Sequence, residues 1–284
     1  MARGLVDSRP QAVALIDRGL VLVSGAVADK AARLVAPSEP VELFGSPPRF
    51  VSRGGEKLAA ALVRFAIDCS GVRALDAGAS TGGFTDCLLQ AGADSVVAVD
   101  VGHGQLHQRL RDDPRVISHE RLDIRDVTLA TVGGTPVGLV TADLSFISAI
   151  RAIPVLVGEA VRAGASLVLL VKPQFEAGRL EASRGRGVIR DPDIHRQTVV
   201  AVASALEAAG AAIMGVMPSP ITGSAGNLEF LLHARTPAGE TLPGSADTRS
   251  DVAAWVDRAV AEAHRGHGRA EATVYVSRDL ETNR

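Results

Sequence analysis

Short apolar runs alternate with amphipathic stretches through the middle of the chain, a pattern typical of a parallel sheet covered by helices. The apolar runs predict strands at residues 74–77, 95–100, 116–120, 137–144, 167–173, 212–217 and 228–234. Apolar spacings of three and four residues predict helices at residues 52–67, 84–91, 104–111, 147–163, 191–209 and 252–263. We therefore expect an α/β fold, a Rossmann-like sheet whose last two strands run antiparallel.

The first 45 residues follow a different pattern and predict a small separate unit. A helix is expected at residues 9–19, two short strands within residues 20–27 around a turn at Ser24-Gly25, and a third strand at residues 41–44. This pattern resembles the S4-like (alpha-L) RNA-binding module, which implies a basic face that lies on structured RNA. Such modules begin with a longer first helix than residues 1–6 provide, so we expect a shortened module or a start further upstream.

Proline and composition shifts predict the remaining boundaries of the chain. Pro47 and Pro48 favour extended backbone and stop any helix, as in a linker. The predicted parts are an S4-like module at 1–45, a linker at 46–51, the α/β domain at 52–236 and a C-terminal helix with a polar tail at 237–284.

A glycine-rich turn after the first strand of the large domain is the clearest sign of a ligand site. The spacing from Gly78 to Gly83 is G-x-x-x-G-G, which weakens a dinucleotide interpretation, and no Gly-Lys-Ser/Thr follows to cradle a phosphate. Asp76 opens the turn, and Asp100 ends the next strand, where an acid can accept both hydroxyl groups of a ribose. The ligand that fits is S-adenosylmethionine, with its amino-acid end against the glycines. An ordinary strand–helix turn is the alternative.

Further residues complete the expected cofactor site. Asp123 follows the third strand and could accept a hydrogen bond from the exocyclic amine of adenine, although Asp126 competes for this role. The residues expected to bind the cofactor are Asp76, Gly78, Ser80, Thr81, Gly82, Gly83, Phe84, Asp100 and Asp123.

Composition and charge narrow the class of protein only slightly. The chain has 284 residues, is 46% hydrophobic and has a net charge of −2, which neither demands nor excludes a nucleic-acid partner. The two cysteines, Cys69 and Cys87, have no metal or redox spacing, as expected in a reducing cytosol. No secretory segment and no membrane-spanning run is recognisable, so we expect a soluble, cytoplasmic protein.

Four motifs stand at the ends of predicted strands. They are LDAGASTGGFT at residues 75–85, ADLSFIS at 142–148, VKPQFE at 171–176 and GNLEF at 226–230. Together they resemble the TlyA/hemolysin A family, which joins an alpha-L module to an FtsJ-like methyltransferase domain, and the resemblance covers residues 1–236. It implies an S-adenosylmethionine-dependent 2′-O-methyltransferase that acts on cytidines of ribosomal RNA in assembled subunits.

The resemblance also implies a catalytic tetrad of Lys57, Asp143, Lys172 and Glu229. Methyl transfer to a ribose hydroxyl requires a poor nucleophile to lose its proton as it attacks, and a lysine whose pKa is lowered by burial beside another cation can accept that proton. Lys172 is the candidate for this base. Asp143 is expected to orient Lys172 and to face the positive methyl donor, while Glu229 and Lys57 hold the ribose. Ordinary ion pairs between strand-end charges are the alternative.

RNA contacts are expected for arginines, because a guanidinium binds phosphate through two hydrogen bonds. The candidates are Arg3, Arg9, Arg18, Arg53, Arg184 and Arg186. The last two lie in a long segment between strand and helix, which predicts either a lid that contacts RNA or a plain loop. A solvated helix face is the alternative for Arg3, Arg9 and Arg18. No metal is expected, since His264 and His267 have no third ligand and are interpreted as solvated.

Three other classes of protein were compared with the RNA methyltransferase. A hemolysin or pore-former would require spanning segments or barrel strands, which the sequence does not show. A ribosome-associated RNA-binding protein without methyl transfer would not need the tetrad. A small-molecule methyltransferase would have no use for an RNA-binding module.

Overall fold

The computed structural model describes most of the chain, in two units at Met1–Ser52 and Arg53–Arg284. The described residues are 3–6, 9–17, 19–28, 30–44, 48–178, 187–223, 225–237 and 248–279, without the side chains of residues 10, 11, 14, 17, 248–250 and 267–279.

The first unit contains one described helix and a small antiparallel sheet. Its elements are α1 (Arg9–Asp17), β1 (Val21–Val23), β2 (Ala26–Val27) and β3 (Val41–Leu43), with β1 in the centre of the sheet. The β1–β2 hairpin turns at Ser24 and Gly25, which both have positive φ, as a two-residue type I′ turn requires. Leu15 and Val23 are buried in the small core. The S4-like assignment of this unit stays a prediction.

The second unit is built on a seven-stranded sheet. Its strands are β4 (Arg73–Ala77), β5 (Ser95–Asp100), β6 (Val116–Glu120), β7 (Val137–Ala142), β8 (Val161–Val171), β9 (Ala212–Pro218) and β10 (Phe230–Arg235). The order across the sheet is β6-β5-β4-β7-β8-β10-β9. The first five strands in this order run parallel to one another, and β10 runs antiparallel to both of its neighbours, β8 and β9. The expected α/β, Rossmann-like fold class is thus confirmed.

Helices surround this sheet. They are α2 (Gly54–Arg64), α3 (Gly83–Gln90), α4 (Gln108–Arg111), α5 (Ile153–Leu156), α6 (Pro173–Glu176), α7 (Pro192–Ala208) and α8 (Thr248–Asp279), with 3₁₀ turns at Ile124–Asp126 and Ala149–Arg151. The predicted start of α7 is confirmed, because the Asp191 side chain accepts a hydrogen bond from the Asp193 N–H at 2.8 Å. Across the described part of the chain, every helix is too short or too polar to cross a membrane.

The C-terminal helix completes the core of the second unit. It packs against β9 and α7, and it buries Val252, Val256 and Val260 in the same apolar cluster as the sheet. Arg196 of α7 donates a hydrogen bond from Nε to Asp257 Oδ1 at 2.6 Å. The last helix is therefore part of the domain core.

One predicted helix is wrong, one is too long, and the last one, predicted at 252–263, is too short, since α8 spans Thr248–Asp279. Residues 147–163 form a 3₁₀ turn, the short helix α5 and the start of β8, because Gly158 makes a tight turn against the Pro154 carbonyl and Val161 pairs with Val137. Residues 104–107 precede α4 as an irregular segment in which the Gly104 N–H is held by the Glu120 carboxylate. Tertiary contacts override the apolar spacing at both places.

Candidate active site

The candidate site lies at the carboxyl ends of β4, β5 and β7. The chain crosses the sheet after β6, so the strand order reverses between β4 and β7, where ligands bind in open α/β sheets. A cleft of about 510 Å³ opens there, a volume suited to a nucleoside-sized ligand. Five of the residues expected at the cofactor and catalytic sites line it, namely Gly78, Ser80, Asp100, Asp123 and Asp143.

The glycines of the turn after β4 are required by the protein's own packing. Gly78 has a φ of +80°, and a Cβ atom there would lie 2.6 Å from the Asp143 carbonyl oxygen. Gly82 has a φ of +93°, and its Cβ would lie 2.2 Å from a methyl carbon of Leu110. Gly78 therefore brings the ends of β4 and β7 together, and Gly82 lets α3 begin against α4.

The rest of the predicted glycine-turn set lies behind the cleft. Thr81 accepts a hydrogen bond on its carbonyl from the His107 N–H, and Gly82, Gly83 and Phe84 are buried at the start of α3. These residues shape the turn without lining the cleft in this structure, and their contact with a cofactor stays a prediction.

Asp76 is fully buried beneath the turn. One carboxylate oxygen accepts a hydrogen bond from Thr85 Oγ1 at 2.6 Å and the other from Thr141 Oγ1 at 3.2 Å. Burial raises the pKa of the Asp76 carboxyl to about 7, while the two threonine hydrogen bonds act in the opposite direction. In this structure Asp76 ties β4 to α3 and β7, and direct contact with a cofactor stays a prediction.

Asp100 faces the cleft from the end of β5. Its oxygens accept hydrogen bonds from the backbone N–H groups of Ser80 at 2.8 Å and Gly102 at 2.6 Å. Each carboxylate oxygen can accept a further hydrogen bond, so Asp100 can still bind the hydroxyl groups of a ribose. Ser80 Oγ also donates to Gln105 Oε1 at 3.1 Å, which places Gln105 beside this position.

Asp123, rather than Asp126, lines the cleft after β6. Arg125 donates to both of its oxygens, from Nε at 2.9 Å and from Nη2 at 2.6 Å. These hydrogen bonds lower the pKa of Asp123 to about 2. Asp123 is therefore an ionised acceptor at the position proposed for the adenine amine, with Arg125 as a neighbour that the sequence did not indicate.

The tetrad residues form two ion pairs. Lys172 follows β8, and its Nζ lies 2.7 Å from Asp143 Oδ1 and donates to Ser145 Oγ at 2.8 Å. Lys57 of α2 donates to Glu229 Oε2, and both side chains are buried, with exposed fractions of 7% and 4% for the two residues. Lys57 is thus a buried partner of Glu229, although its position in the first turn of a helix is unfavourable for a cation.

Strand register brings the two ion pairs to one edge. Phe230 of β10 is opposite Val171 of β8, so the residues beyond this pair, Glu229 and Lys172, continue the two adjacent strands at the same edge of the sheet. Asp143 follows β7, the other neighbour of β8. The two ion pairs thus lie at the same edge of the sheet, where Asp143 lines the cleft, and the assembly of the four residues into a catalytic tetrad stays a prediction.

Sequence analysis missed two residues at the rim of the cleft. Phe146 has a φ of +66° and is 93% exposed, and its ring lies 5.5 Å from that of Phe175. Arg151 also lines the cleft. The signal for Phe146 was present in the ADLSFIS motif, which places an aromatic residue three positions after the strand-end acid Asp143.

The candidate RNA-binding arginines have different environments. Arg3 donates to the carbonyl oxygens of Glu39, of Ala36 at 2.9 Å and of Pro37 at 3.2 Å, so its guanidinium is used within the first unit. Arg9 is exposed. Arg53 donates to the Thr222 carbonyl at 2.5 Å. Arg18, Arg184 and Arg186 lie outside the described residues, and RNA contact stays a prediction for all six.

His264 is engaged with another histidine, contrary to the solvated interpretation. His195 Nε2 donates to the Ile189 carbonyl at 3.2 Å, so its Nδ1 accepts from His264 Nε2 at 3.0 Å. Burial lowers the pKa of His195 to about 4. Within the described ranges, groups of three or more metal-ligand side chains are absent, and the His267 side chain is not described.

The cleft fits S-adenosylmethionine in size and in chemistry. An acidic side chain ends β5 where ribose hydroxyl groups would bind, Asp123 lines the cleft where the adenine amine is expected, and Asp143 offers a negative charge that would face the sulfonium. These are acceptor groups, and the cofactor's ribose hydroxyl groups, amines and sulfonium require acceptors or negative charge. The residues that would hold it are Gly78, Ser80, Asp100, Gln105, Asp123 and Asp143.

Comparisons with known proteins agree with this site. The family model of FtsJ-like methyltransferases matches residues 50–236. The chain is 46% identical over 261 residues to the 16S/23S rRNA (cytidine-2′-O)-methyltransferase TlyA of Mycobacterium tuberculosis, a match that covers 92% of this chain and 94% of the relative. It is 38% identical to Hemolysin A of Brachyspira hyodysenteriae, covering 82% of this chain and 95% of the relative.

A solved structure is also similar to this chain. A Streptococcus thermophilus protein described under the name hemolysin superposes with a TM-score of 0.74 at 36% identity, covering 95% of each chain. The family model, these relatives and the cleft lead to one conclusion: the chain belongs to the TlyA/hemolysin A family of FtsJ-like methyltransferases.

Proposed function

We propose that the protein methylates the 2′-hydroxyl of cytidine ribose in ribosomal RNA and uses S-adenosylmethionine as its cofactor. The observation that carries this proposal is the ion pair between Lys172 and Asp143, because Asp143 lines a nucleoside-sized cleft. The buried ion pair between Lys57 and Glu229 lies at the same edge of the sheet. A relative with 46% identity is named for this activity on 16S and 23S rRNA, and the aligned region covers nearly the whole of both chains.

Lys172 has the geometry of a general base for the ribose hydroxyl. The bound cofactor supplies a methyl group made electrophilic by a sulfonium. Lys172 Nζ donates one hydrogen bond to Ser145 Oγ and lies 2.7 Å from Asp143 Oδ1, and a direction around Nζ remains for a substrate oxygen. When Lys172 is neutral, Nζ takes the hydroxyl proton and the oxygen becomes a better nucleophile. Asp143 then balances the charge that develops on Nζ.

The second ion pair supports the substrate ribose. Lys57 holds Glu229 Oε2, so Glu229 Oε1 remains to accept a hydrogen bond from the ribose. A Cβ on Gly223 would lie 2.5 Å from Glu229 Oε1, so the absence of a side chain at Gly223 leaves room for this carboxylate. Most of the rate acceleration is then expected from positioning of the ribose relative to the methyl donor.

The remaining proposals concern partners and location. Exposed Arg9 and the first unit would contact structured RNA, with Phe146 near the target nucleotide. Ribosomal RNA as the substrate implies that the enzyme acts in the cytoplasm.

The proposal is tested by methyl transfer from labelled S-adenosylmethionine to purified small and large ribosomal subunits. We expect alkali-resistant, 2′-O-methylated dinucleotides from the wild-type protein and loss of label with Lys172→Ala. Lys172→Arg is the matched control, because it keeps the positive charge but cannot give up a proton. We expect it to be inactive as well. An active Lys172→Arg would exclude the base role, and absence of label with both subunits despite cofactor binding would exclude the ribosomal substrate.

A further inference from the structure

Two segments at the active-site edge are connected at three successive levels. One is the loop after β7, residues 143–149, and the other is the segment Lys172–Glu176, which contains α6. At the first level Lys172 contacts Asp143 and Ser145. At the second level the ring of Phe175 packs against that of Phe146, with centroids 5.5 Å apart. The third level is formed by Glu176.

Glu176 uses both carboxylate oxygens on the loop after β7. Oε2 accepts a hydrogen bond from Ser148 Oγ at 2.6 Å, and Oε1 accepts one from the Ala149 N–H at 2.7 Å. Ala149 is the first residue of a 3₁₀ turn, and the Ser148 side chain makes no capping hydrogen bond to that turn. Glu176 therefore caps the turn from a distant position in the sequence. Burial raises its pKa, while the two hydrogen bonds act in the opposite direction.

These contacts limit the positions that Asp143 and Phe146 can adopt. The loop is attached at its start by the Asp143 N–H, which donates to the Ala77 carbonyl at 2.9 Å, and near its end by Glu176. Between these points Phe146 holds a positive φ, which is strained for an aromatic residue and persists only when its surroundings enforce it. Without Glu176, the loop would lose the attachment nearest its end, and the strained residue could relax.

We propose that Glu176 is a positioning residue for methyl transfer, which holds the loop after β7 in register with Lys172 so that Asp143, Ser145 and Phe146 keep their places. The inference rests on the proposed function, because it concerns the geometry of that same tetrad. Glu176 touches neither substrate nor cofactor in this role. Its contribution is the alignment of the loop with α6, and it is expected to affect turnover more than cofactor binding.

The test compares Glu176→Ala, Glu176→Asp and Glu176→Gln with the wild-type full-length protein. We measure kcat and KM for methyl transfer to ribosomal subunits at saturating S-adenosylmethionine, together with urea unfolding. Glu176→Ala is expected to lower kcat at least tenfold. Glu176→Asp keeps the charge but loses reach, and should lower kcat at least threefold. Glu176→Gln can still accept from the Ala149 N–H and can donate to Ser148 Oγ, so it should stay within about threefold of wild type.

Glu159→Ala is the matched control. Glu159 Oε1 also accepts a hydrogen bond from a backbone N–H, that of Leu129 at 3.1 Å, but it precedes β8 at the opposite edge of the sheet. Its kcat should equal that of the wild type. If Glu176→Ala does not fold, the kcat of Glu176→Asp is used for the comparison in its place. Equal kcat values for Glu159→Ala and the folded Glu176 variants would overturn the inference, as would a Glu176→Gln as slow as Glu176→Ala. An inactive wild-type protein would instead overturn the proposed function itself.

Discussion

Lysine is rare in this chain, and two of its three lysines belong to the tetrad. The sequence has 30 lysines and arginines together, of which only Lys30, Lys57 and Lys172 are lysines. A lysine can lose its proton and an arginine cannot, so the base role proposed for Lys172 requires a lysine at this position. The same reason does not apply to Lys57, which is buried against Glu229.

The buried pair of Lys57 and Glu229 predicts different effects for single and double substitutions. Lys57→Met leaves the Glu229 carboxylate buried without its partner, which typically costs about 3–5 kcal/mol of unfolding free energy. The double variant Lys57→Met, Glu229→Leu removes both charges and should recover most of that stability, whereas both variants are expected to lose methyl transfer. Urea unfolding and the labelled methyl-transfer assay measure the two effects. A double variant no more stable than Lys57→Met would contradict this account.

Phe146 is expected to affect substrate binding and not stability. Phe146 is 93% exposed at the rim of the cleft, and stacking of a base on an aromatic ring contributes about 1–3 kcal/mol. Phe146→Ala should therefore raise KM for ribosomal subunits about tenfold or more and change unfolding free energy by less than about 0.5 kcal/mol.

The control for Phe146 is Val63→Ala. Val63 is 83% exposed on α2 and outside the cleft, so the substitution should leave both KM and stability unchanged. Equal KM values for Phe146→Ala and the wild type would exclude a stacking role for Phe146.

At the level of elements, Gly82 shows how helix packing explains a residue that sequence analysis assigned to ligand binding. Gly82→Ala would meet both a positive φ and the buried side chains of Leu106 and Leu110. We expect a loss of about 2–5 kcal/mol, from about 1–2 for the left-handed backbone and about 1–3 for overpacking. Gly71 also has a positive φ, with open space around it, so Gly71→Ala should lose only about 1–2 kcal/mol. Urea unfolding without cofactor measures both, and equal losses would contradict the packing argument.

Strands were easier to predict than helices, for reasons visible in particular segments. The strand at Ser95–Asp100 was predicted with its observed bounds because a buried parallel strand is a continuous apolar run between polar residues. The helix predicted at 147–163 failed because Val161 and the residues after it pair with neighbours distant in sequence. Strands were predicted better because a buried apolar run can be recognised from neighbouring residues, whereas strand pairing depends on residues distant in the sequence.

The residues of the candidate site could be predicted from the sequence only in part. Strand-end acids such as Asp100 were found from position alone, and Lys57 was found only from the family resemblance. The partner of Lys57, Glu229, is 172 positions away in the sequence, and no local pattern connects them. Glu176 was quoted within a motif, but its contacts to Ser148 and Ala149 depend on how α6 packs against the loop after β7.

At the level of the whole molecule, the buried Asp76 makes stability depend on pH. Its folded-state pKa of about 7 exceeds the unfolded value of 3.8, so the unfolded chain releases this proton first as pH rises. The contribution of Asp76 to stability is complete below pH 4 and is lost as pH approaches 7.

The buried histidines His195 and His233 have the opposite effect on stability. Burial lowers their pKa values to about 4, so their contribution is present above pH 6.5 and is lost as pH falls to 4.

Comparison with Asp76→Asn isolates the carboxyl group, because the histidines are common to both proteins. The stability of the wild type relative to Asp76→Asn should fall by about 2–3 kcal/mol between pH 5 and pH 8, at about 1.4 kcal/mol for each pH unit. Urea unfolding without cofactor across this range measures the difference. A constant difference between the two proteins would show that Asp76 does not titrate there.

The position of α8 also affects how the protein folds during translation, because the sheet is synthesised before the helix that packs on it. The family model ends at residue 236, yet the side chains of Val256 and Ala259, synthesised well after the last strand, cover β9 and α7. At a synthesis rate of about 5–20 residues per second, α8 is completed a few seconds after the last strand of the sheet. During that interval the nascent chain carries an open apolar surface. For an enzyme proposed to modify ribosomes, this interval of exposure to aggregation thus falls while the chain is itself still attached to a ribosome.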